Sequence, residues 1–179
     1  CFLLGLYDAT SETEYLEEAK EVARYLQYRW NHQRTLKRNF SQYAFSSGWS
    51  GAGFALLQLY QVTGEQTYAD TVNSIVEQAI RDARPAASGE GYEWSTFQGI
   101  VGNAGTVLFL LKAAEVLQNK KFRDFALDAG QTFLHQGRKM GDGKIVYQGV
   151  DPTYFGAGKD YIDPNFPMGT GGIAFALLK

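Results

Sequence analysis

Residues 48–60 read GWSGAGFALLQLY, a Gly-x-x-Gly pair that opens a run of apolar residues. Two leucines follow the pair five and six residues later, and the same pattern recurs from Gly102 and from Gly169. A fourth, incomplete copy stands at the chain start, because residues 3–7 match residues 56–60 without a gap. The offsets between copies are 53, 54 and 67 residues. Periods of this size indicate an array of one repeated supersecondary unit.

The repeated unit is a pair of helices. Each glycine pair opens a segment that is apolar on nearly all sides, as expected of a buried inner helix. An amphipathic outer helix follows, in which apolar residues recur at spacings of three and four from Tyr15, Tyr68 and Phe122. Thr63 and Gln66 have the spacing of a capping box before the second outer helix. The sequence therefore predicts an all-α fold, and alternating inner and outer helices close most naturally into an α/α toroid of about six or seven pairs.

The glycine pairs mark the place where function is expected. Glycine lacks a Cβ, so two glycines on one helix face let another backbone approach closely or leave room for a ligand. We favour close packing over a direct binding role. In a toroid the starts of the inner helices and the loops before them surround one mouth. Function should therefore be sought at that mouth.

The two chain ends fall within the repeat. Cys1 and Lys179 both align with positions inside an inner helix, and about three helical pairs are present. We therefore expect residues 1–179 to be a single segment of one toroid domain, truncated at both ends. We expect either that the native polypeptide is longer, which leaves room for further domains, or that a partner supplies the rest of the ring.

Composition and charge favour an ordinary soluble domain. Apolar residues make up 45% and charged residues 20% of the chain, which permits a hydrophobic core. The net charge of -2 gives no reason to propose nucleic acid or an anionic membrane as a partner. The start shows no basic segment of a signal peptide, and the single cysteine rules out an internal disulfide. We expect a cytoplasmic protein.

The glycine repeats resemble those of the lanthionine synthetase C-like family. The resemblance is carried by residues 48–60, by the Thr-Gly-acid turn at residues 63–65, and by the segments 99–105 and 168–174. It implies the cyclase domain of a lanthipeptide synthetase, or a relative. In that family a zinc ion converts a peptide cysteine to thiolate, which adds to dehydroalanine or dehydrobutyrine and closes a thioether ring. The resemblance thus implies zinc as cofactor and a peptide as substrate.

The chain departs from the family at the metal site. The family often places histidine before a glycine pair, whereas this chain has Ser47, Val101 and Met168 at those positions. It has no Cys-His pair, and Cys1 alone cannot hold a metal. We expect the zinc ligands to lie beyond Lys179 and name none within the segment. The alternative is a non-catalytic relative that binds peptides.

The two histidines do not suggest another metal site. His32 and His135 each fall in the last turn of an outer helix. A partly cationic ring is favourable there, at the negative end of the helix dipole. We expect both histidines to cap the helix ends rather than to bind a metal ion.

Four residues near the expected mouth are candidates for substrate binding. Trp49, inside the first glycine pair, could stack on a substrate or fill the ring. Asn103, inside the second pair, could donate to a substrate carbonyl or cap its own helix. Asp163, which precedes Pro164 and the third inner helix, is the first acid candidate, with an ordinary turn aspartate as the alternative. Trp94 is the fourth candidate, and the catalytic residue is otherwise unknown.

A carbohydrate enzyme is the main alternative function. Residues 89–94 combine Glu90 and Glu93 with two aromatic residues, including Trp94, a composition that a sugar site would use. With Asp163, these carboxylates could share acid and base work in a hydrolase or an epimerase. An exposed acidic loop without function has the same composition.

The long segment of residues 137–167 accounts for the stretched third period. Asp142-Gly143 predicts the turn of a small β-hairpin near residues 141–150. Aromatic residues follow, and loops of this length in compact domains usually serve a function. We expect the segment to cover the mouth and to help select a peptide or a sugar; its aromatic residues are Tyr154, Phe155, Tyr161 and Phe166.

Overall fold

The computed structural model describes residues 2–32, 42–148 and 162–178, and within these ranges the fold is mostly helical. The elements run in the order α1 (Phe2–Thr10), α2 (Thr13–His32), α3 (Trp49–Thr63), α4 (Gln66–Asp82), β1 (Arg84–Pro85), β2 (Tyr92–Glu93), α5 (Asn103–Val116), α6 (Lys120–Gln136), β3 (Gly137–Lys139), β4 (Ile145–Tyr147) and α7 (Thr170–Leu177). The inner helices of the repeat are α1, α3, α5 and α7, and the outer helices are α2, α4 and α6.

Inner and outer helices pack as the repeat predicts. Each of the first three inner helices packs against the outer helix that follows it, and α5 also packs against α3 and α7. The predicted apolar stripe of α4 is buried, with Val72, Ile75 and Val76 at 0% exposure. Gly53 of α3 lies directly on the ring of Phe109, where an added Cβ would be 2.4 Å from Cζ. The predicted all-α class and its helix pairs are confirmed.

The turns between paired helices share one backbone feature. Ser11, Gly64 and Gln118 have positive φ angles of 60°, 70° and 51°, and they stand 53 and 54 residues apart along the chain. A single left-handed residue is a common way to end a helix. The repeat therefore preserves the backbone turn even where the residue is not glycine.

The capping box predicted at Thr63 is wrong. Helix α3 continues through Thr63, and the N-cap of α4 is Glu65. The Thr63 hydroxyl donates to the Leu59 carbonyl at 2.8 Å and accepts from the Glu65 backbone N–H at 3.2 Å. It therefore bridges the end of one helix and the start of the next.

Two small antiparallel hairpins interrupt the helices. In the predicted one, β3 pairs with β4, and Gly143 adopts a φ of 81° in the turn. The Asp142 side chain accepts from the Lys144 N–H at 3.2 Å, which supports the Asp-Gly turn signal. The second hairpin joins β1 to β2 and was not predicted, because its strands are only two residues long and one residue is Pro85.

Some expectations fall on residues that the structure does not describe. These are Cys1 and most of the aromatic residues expected to cover the mouth, namely Tyr154, Phe155 and Tyr161. Within the described ranges, no helix is long and apolar enough to cross a membrane.

Candidate functional site

Three loops that lead into inner helices fold back onto the helix starts. We call them loop 1 (residues 42–48), loop 2 (residues 94–102) and loop 3 (residues 162–169). The first residue of each helix donates its backbone N–H to a carbonyl near the loop start. The N–H groups at the start of a helix have no partner within the helix, so the loop supplies an acceptor for one of them. The three bonds are Trp49 to Gln42 at 2.7 Å, Asn103 to Phe97 at 2.9 Å and Thr170 to Asp163 at 2.8 Å.

The glycine pairs make this folding back possible. The first glycine of each pair lies against the same carbonyl that accepts the N–H, as Gly102 does against Phe97. The second glycine lies against a later loop carbonyl. An added Cβ would be about 2 Å from that oxygen, far inside contact distance; the contacts are Gly51 with Phe45 (1.9 Å), Gly105 with Ile100 (2.0 Å) and Gly172 with Phe166 (2.1 Å). The close-packing interpretation of the glycines is therefore confirmed.

The same loop residues line a cavity of about 830 Å³. In each copy, the residue three positions after the second glycine, about one turn along the inner helix, also lines the cavity and pairs with the loop residue. Two of the pairs stack edge to face, with ring centroids 5.3 and 5.5 Å apart, a favoured geometry for aromatic rings. The three pairs are Phe45 with Phe54, Ile100 with Leu108, and Phe166 with Phe175.

One face of α5 lines the cavity along the helix axis. Leu108, Leu111, Lys112 and Glu115 share this face at helical spacing and all line the cavity. The Lys112 ammonium lies 3.0 Å from a Glu115 carboxylate oxygen. Beyond α5 the cavity reaches a polar end, formed by Gln118, Asn119, Lys120 and Arg123.

Loop 1 is held by a buried tyrosine. The Tyr43 hydroxyl donates to a carboxylate oxygen of Asp82 at 2.5 Å, and its carbonyl accepts from the Thr106 hydroxyl at 2.9 Å. Burial raises the pKa of Tyr43 above its ordinary value, and the hydrogen bond that the hydroxyl donates to this carboxylate raises it further. The hydroxyl therefore keeps its proton and remains a donor, which fixes the loop that carries Phe45.

Loop 2 is held by the side chain of Asn103. Its amide oxygen accepts from the backbone N–H groups of Trp94 (2.8 Å) and Ser95 (3.1 Å). Its amide nitrogen donates to the Ser95 carbonyl (2.9 Å) and to the Gln98 side chain (2.8 Å). An amide has four such bonds to make, so Asn103 has no hydrogen bond left for a substrate in this arrangement.

Loop 3 is held by Asp163 in an Asx turn. One carboxylate oxygen accepts from the Asn165 backbone N–H at 3.0 Å and the other from its side chain at 2.8 Å. Asn165 in turn accepts from the Met168 N–H at 2.8 Å. The alternative of a turn aspartate, raised from the sequence, describes this geometry.

The four residues predicted to bind substrate do not line the cavity. They are at most 7% exposed: Trp49 at 4%, Trp94 at 7%, Asn103 at 0% and Asp163 at 6%. Trp49 packs edge to face on Trp30, with centroids 5.0 Å apart, and Trp94 donates its indole N–H to the Ala79 carbonyl at 2.7 Å. Because these side chains are buried, we assign Trp94, Asn103 and Asp163 to positioning the loops, and Trp49 to helix packing, rather than to substrate contact.

The carboxylates proposed for sugar chemistry also lie off the cavity wall. Glu90 is exposed and lies 2.6 Å from Nε2 of His135, while Glu93 lies on β2. Among the described residues, Glu115 is the acidic residue that lines the cavity. A pair of facing carboxylates, as glycoside cleavage needs, is therefore not found on the described part of the wall.

The histidines occupy the predicted places. His32 and His135 lie in the last turns of α2 and α6, and the Nδ1 atom of His32 lies 2.8 Å from the Tyr28 carbonyl oxygen. No group of three or more histidine, cysteine, aspartate or glutamate side chains that could hold a metal occurs in the described part of the chain. The described residues therefore do not fit a zinc centre.

A search of protein-family models and of curated proteins finds no match to this chain.

Sequence reasoning named Phe166 among the residues expected to cover the mouth, but it missed the helix residues that line the cavity. Their signal is the third position after the second glycine, which reads Phe54, Leu108 and Phe175 in the three copies. Each copy has a large apolar residue at this position, but such a residue is not distinctive inside a helix that is apolar on nearly all sides. Because the position lies about one helical turn after the second glycine in every copy, the three side chains are expected to share one wall.

Proposed function

We propose that this chain is the peptide-binding part of a lanthionine synthetase C-like protein, built as a segment of an α/α toroid. The single observation that carries the proposal is the repeated pair of loop and helix residues around one cavity. The packing of α5 against both α3 and α7 supports the toroid, because inner helices are neighbours in such a ring. The resemblance also supports a cytoplasmic location.

The chemistry of the cavity suits a peptide. Its volume of about 830 Å³ is typical of a ligand site. Aromatic and aliphatic side chains form most of its wall, and the loops that carry them are fixed by buried hydrogen bonds. A fixed apolar wall accepts hydrophobic side chains at a low entropic cost.

Thioether cyclisation is the second candidate function, favoured by the Gly-x-x-Gly register that this chain shares with the family. Because the described residues do not fit zinc, its ligands would have to lie elsewhere in the polypeptide. Metal analysis of the full-length protein, purified without added metal, tests this: about one zinc per polypeptide would support cyclisation. A metal-free protein would contradict cyclisation and leave peptide binding standing.

Removing two aromatic side chains should weaken peptide binding. We expect the double variant Phe166→Ala, Phe175→Ala to bind a dye-labelled synthetic peptide with a Phe-Leu centre about tenfold more weakly, since the peptide loses apolar contact area. Fluorescence anisotropy measures the change. The two rings are 50% and 41% exposed, so their loss should cost little stability.

Phe2→Ala is the matched control, because Phe2 is 78% exposed and does not line this cavity. It should bind the peptide as the unmodified protein does. Equal affinity in the double variant, or no binding by the unmodified protein, would contradict the proposed function.

A further inference from the structure

The two ends of the cavity differ in chemistry. At one end the wall is apolar and includes Phe54, Leu108 and Phe175. The other end follows the last turn of α5, where Lys120 and Arg123 line the cavity. Within α5, Leu108 and Glu115 line the cavity seven positions apart, which along a helix is about 10 Å. A ligand that fills the cavity therefore meets an apolar region and a charged region.

The charged end has an unbalanced positive charge. Lys112 is bound to Glu115 at 3.0 Å, and Lys120 is bound to Asp124 at 2.5 Å. Within the described ranges, no carboxylate lies within ion-pair distance of the exposed Arg123 guanidinium. This side chain is therefore able to bind a carboxylate in a planar, two-point geometry.

We infer that the cavity selects peptides in which a large apolar residue and an acidic residue lie a few positions apart, the acid being bound by Arg123. The inference rests on the proposed function that the cavity binds a peptide. An extended chain covers roughly 3.3–3.6 Å per residue, so the stretch of about 10 Å that α5 lines corresponds to about three residues. The preferred segment thus has its carboxylate three or more positions from its apolar anchor.

Three synthetic peptides of equal length test the inference. Each carries a dye and a Phe-Leu anchor, followed four positions later by Asp-Asp, Ser-Ser or Lys-Lys. By fluorescence anisotropy at low salt, the aspartate peptide should bind about fivefold more tightly than the serine peptide, as expected for an exposed charge pair. The lysine peptide should bind most weakly, and the preference should shrink as added salt screens the charges.

Arg123→Gln should remove the preference for aspartate over serine. Lys121→Gln is the matched control, because it removes the same charge from the same helix at an exposed position outside the cavity wall. That control should keep the preference. Circular dichroism confirms that both variants are folded.

The outcomes separate the inference from the function on which it rests. Equal binding of the three peptides, or a preference that survives in Arg123→Gln, would overturn the inference and leave peptide binding intact. Failure of all three peptides to bind would overturn the proposed function itself. Self-association that competes with the peptides in sedimentation experiments would assign the cavity to a second copy of the chain and also overturn the inference.

Discussion

Gly105→Ala should lower the free energy of unfolding by about 3 kcal/mol, although alanine is the better helix former. The added Cβ would lie 2.0 Å from the Ile100 carbonyl oxygen and 2.7 Å from Cβ of Phe45. Neither contact can be relieved by a side-chain rotation, because one atom is backbone and the other is attached to it. Loop 2 must therefore move away from α5, and urea unfolding measures the cost.

Gly130→Ala is the matched control for this substitution. Gly130 also lies inside a helix, α6, but its added Cβ would meet only Val107 Cγ1 at 3.9 Å, an ordinary contact. Here the helix preference of alanine acts alone, and stability should rise by up to about 1 kcal/mol. Equal effects at the two positions would show that the glycine pair does not need the close approach of the loop.

Asn103→Ala should also cost about 3 to 4 kcal/mol. The substitution removes four hydrogen bonds and leaves the backbone N–H groups of Trp94 and Ser95 buried without their acceptor. Each buried polar group left unsatisfied costs about 1–3 kcal/mol. Because loop 2 also carries Ile100 on the cavity wall, peptide affinity should fall together with the urea midpoint.

Asn119→Ala provides the comparison for Asn103. Asn119 is the N-cap of α6, and its side chain accepts a single bond from the Phe122 N–H at 3.3 Å. Loss of such a cap costs about 1 kcal/mol. A loss at Asn103 no larger than at Asn119 would mean that water replaces the missing side chain, and would contradict its role in holding the loop.

The helix pairs could be predicted from sequence because two independent patterns agree. The glycine pairs mark the inner-helix starts, and the spacing of apolar residues from Tyr15, Tyr68 and Phe122 marks the outer helices. Both patterns involve residues close together in the chain, so they can be recognised without knowledge of tertiary contacts. The turn at Asp142-Gly143 was predictable for the same reason, since its conformation depends on adjacent residues.

The site was harder to predict because composition does not reveal burial. Tryptophan, asparagine and aspartate near a helix start can face a ligand or hold a loop, and here Trp94, Asn103 and Asp163 hold loops. Which of the two roles a residue has depends on how the loop carbonyls pack against the glycines. That packing is a tertiary contact, and the spacing of residues along the chain does not predict it.

The hydrogen bond between each of the three loops and the start of its inner helix affects how the chain can vary in length. The carbonyl that accepts the first helical N–H comes only five or six residues before the glycine pair, as in Phe97 before Gly102 and Asp163 before Gly169. Everything earlier in the connection is free of this constraint, so the period can stretch from 53 to 67 residues. Insertions in the earlier part of a connection should therefore leave the helix starts and the cavity wall unchanged.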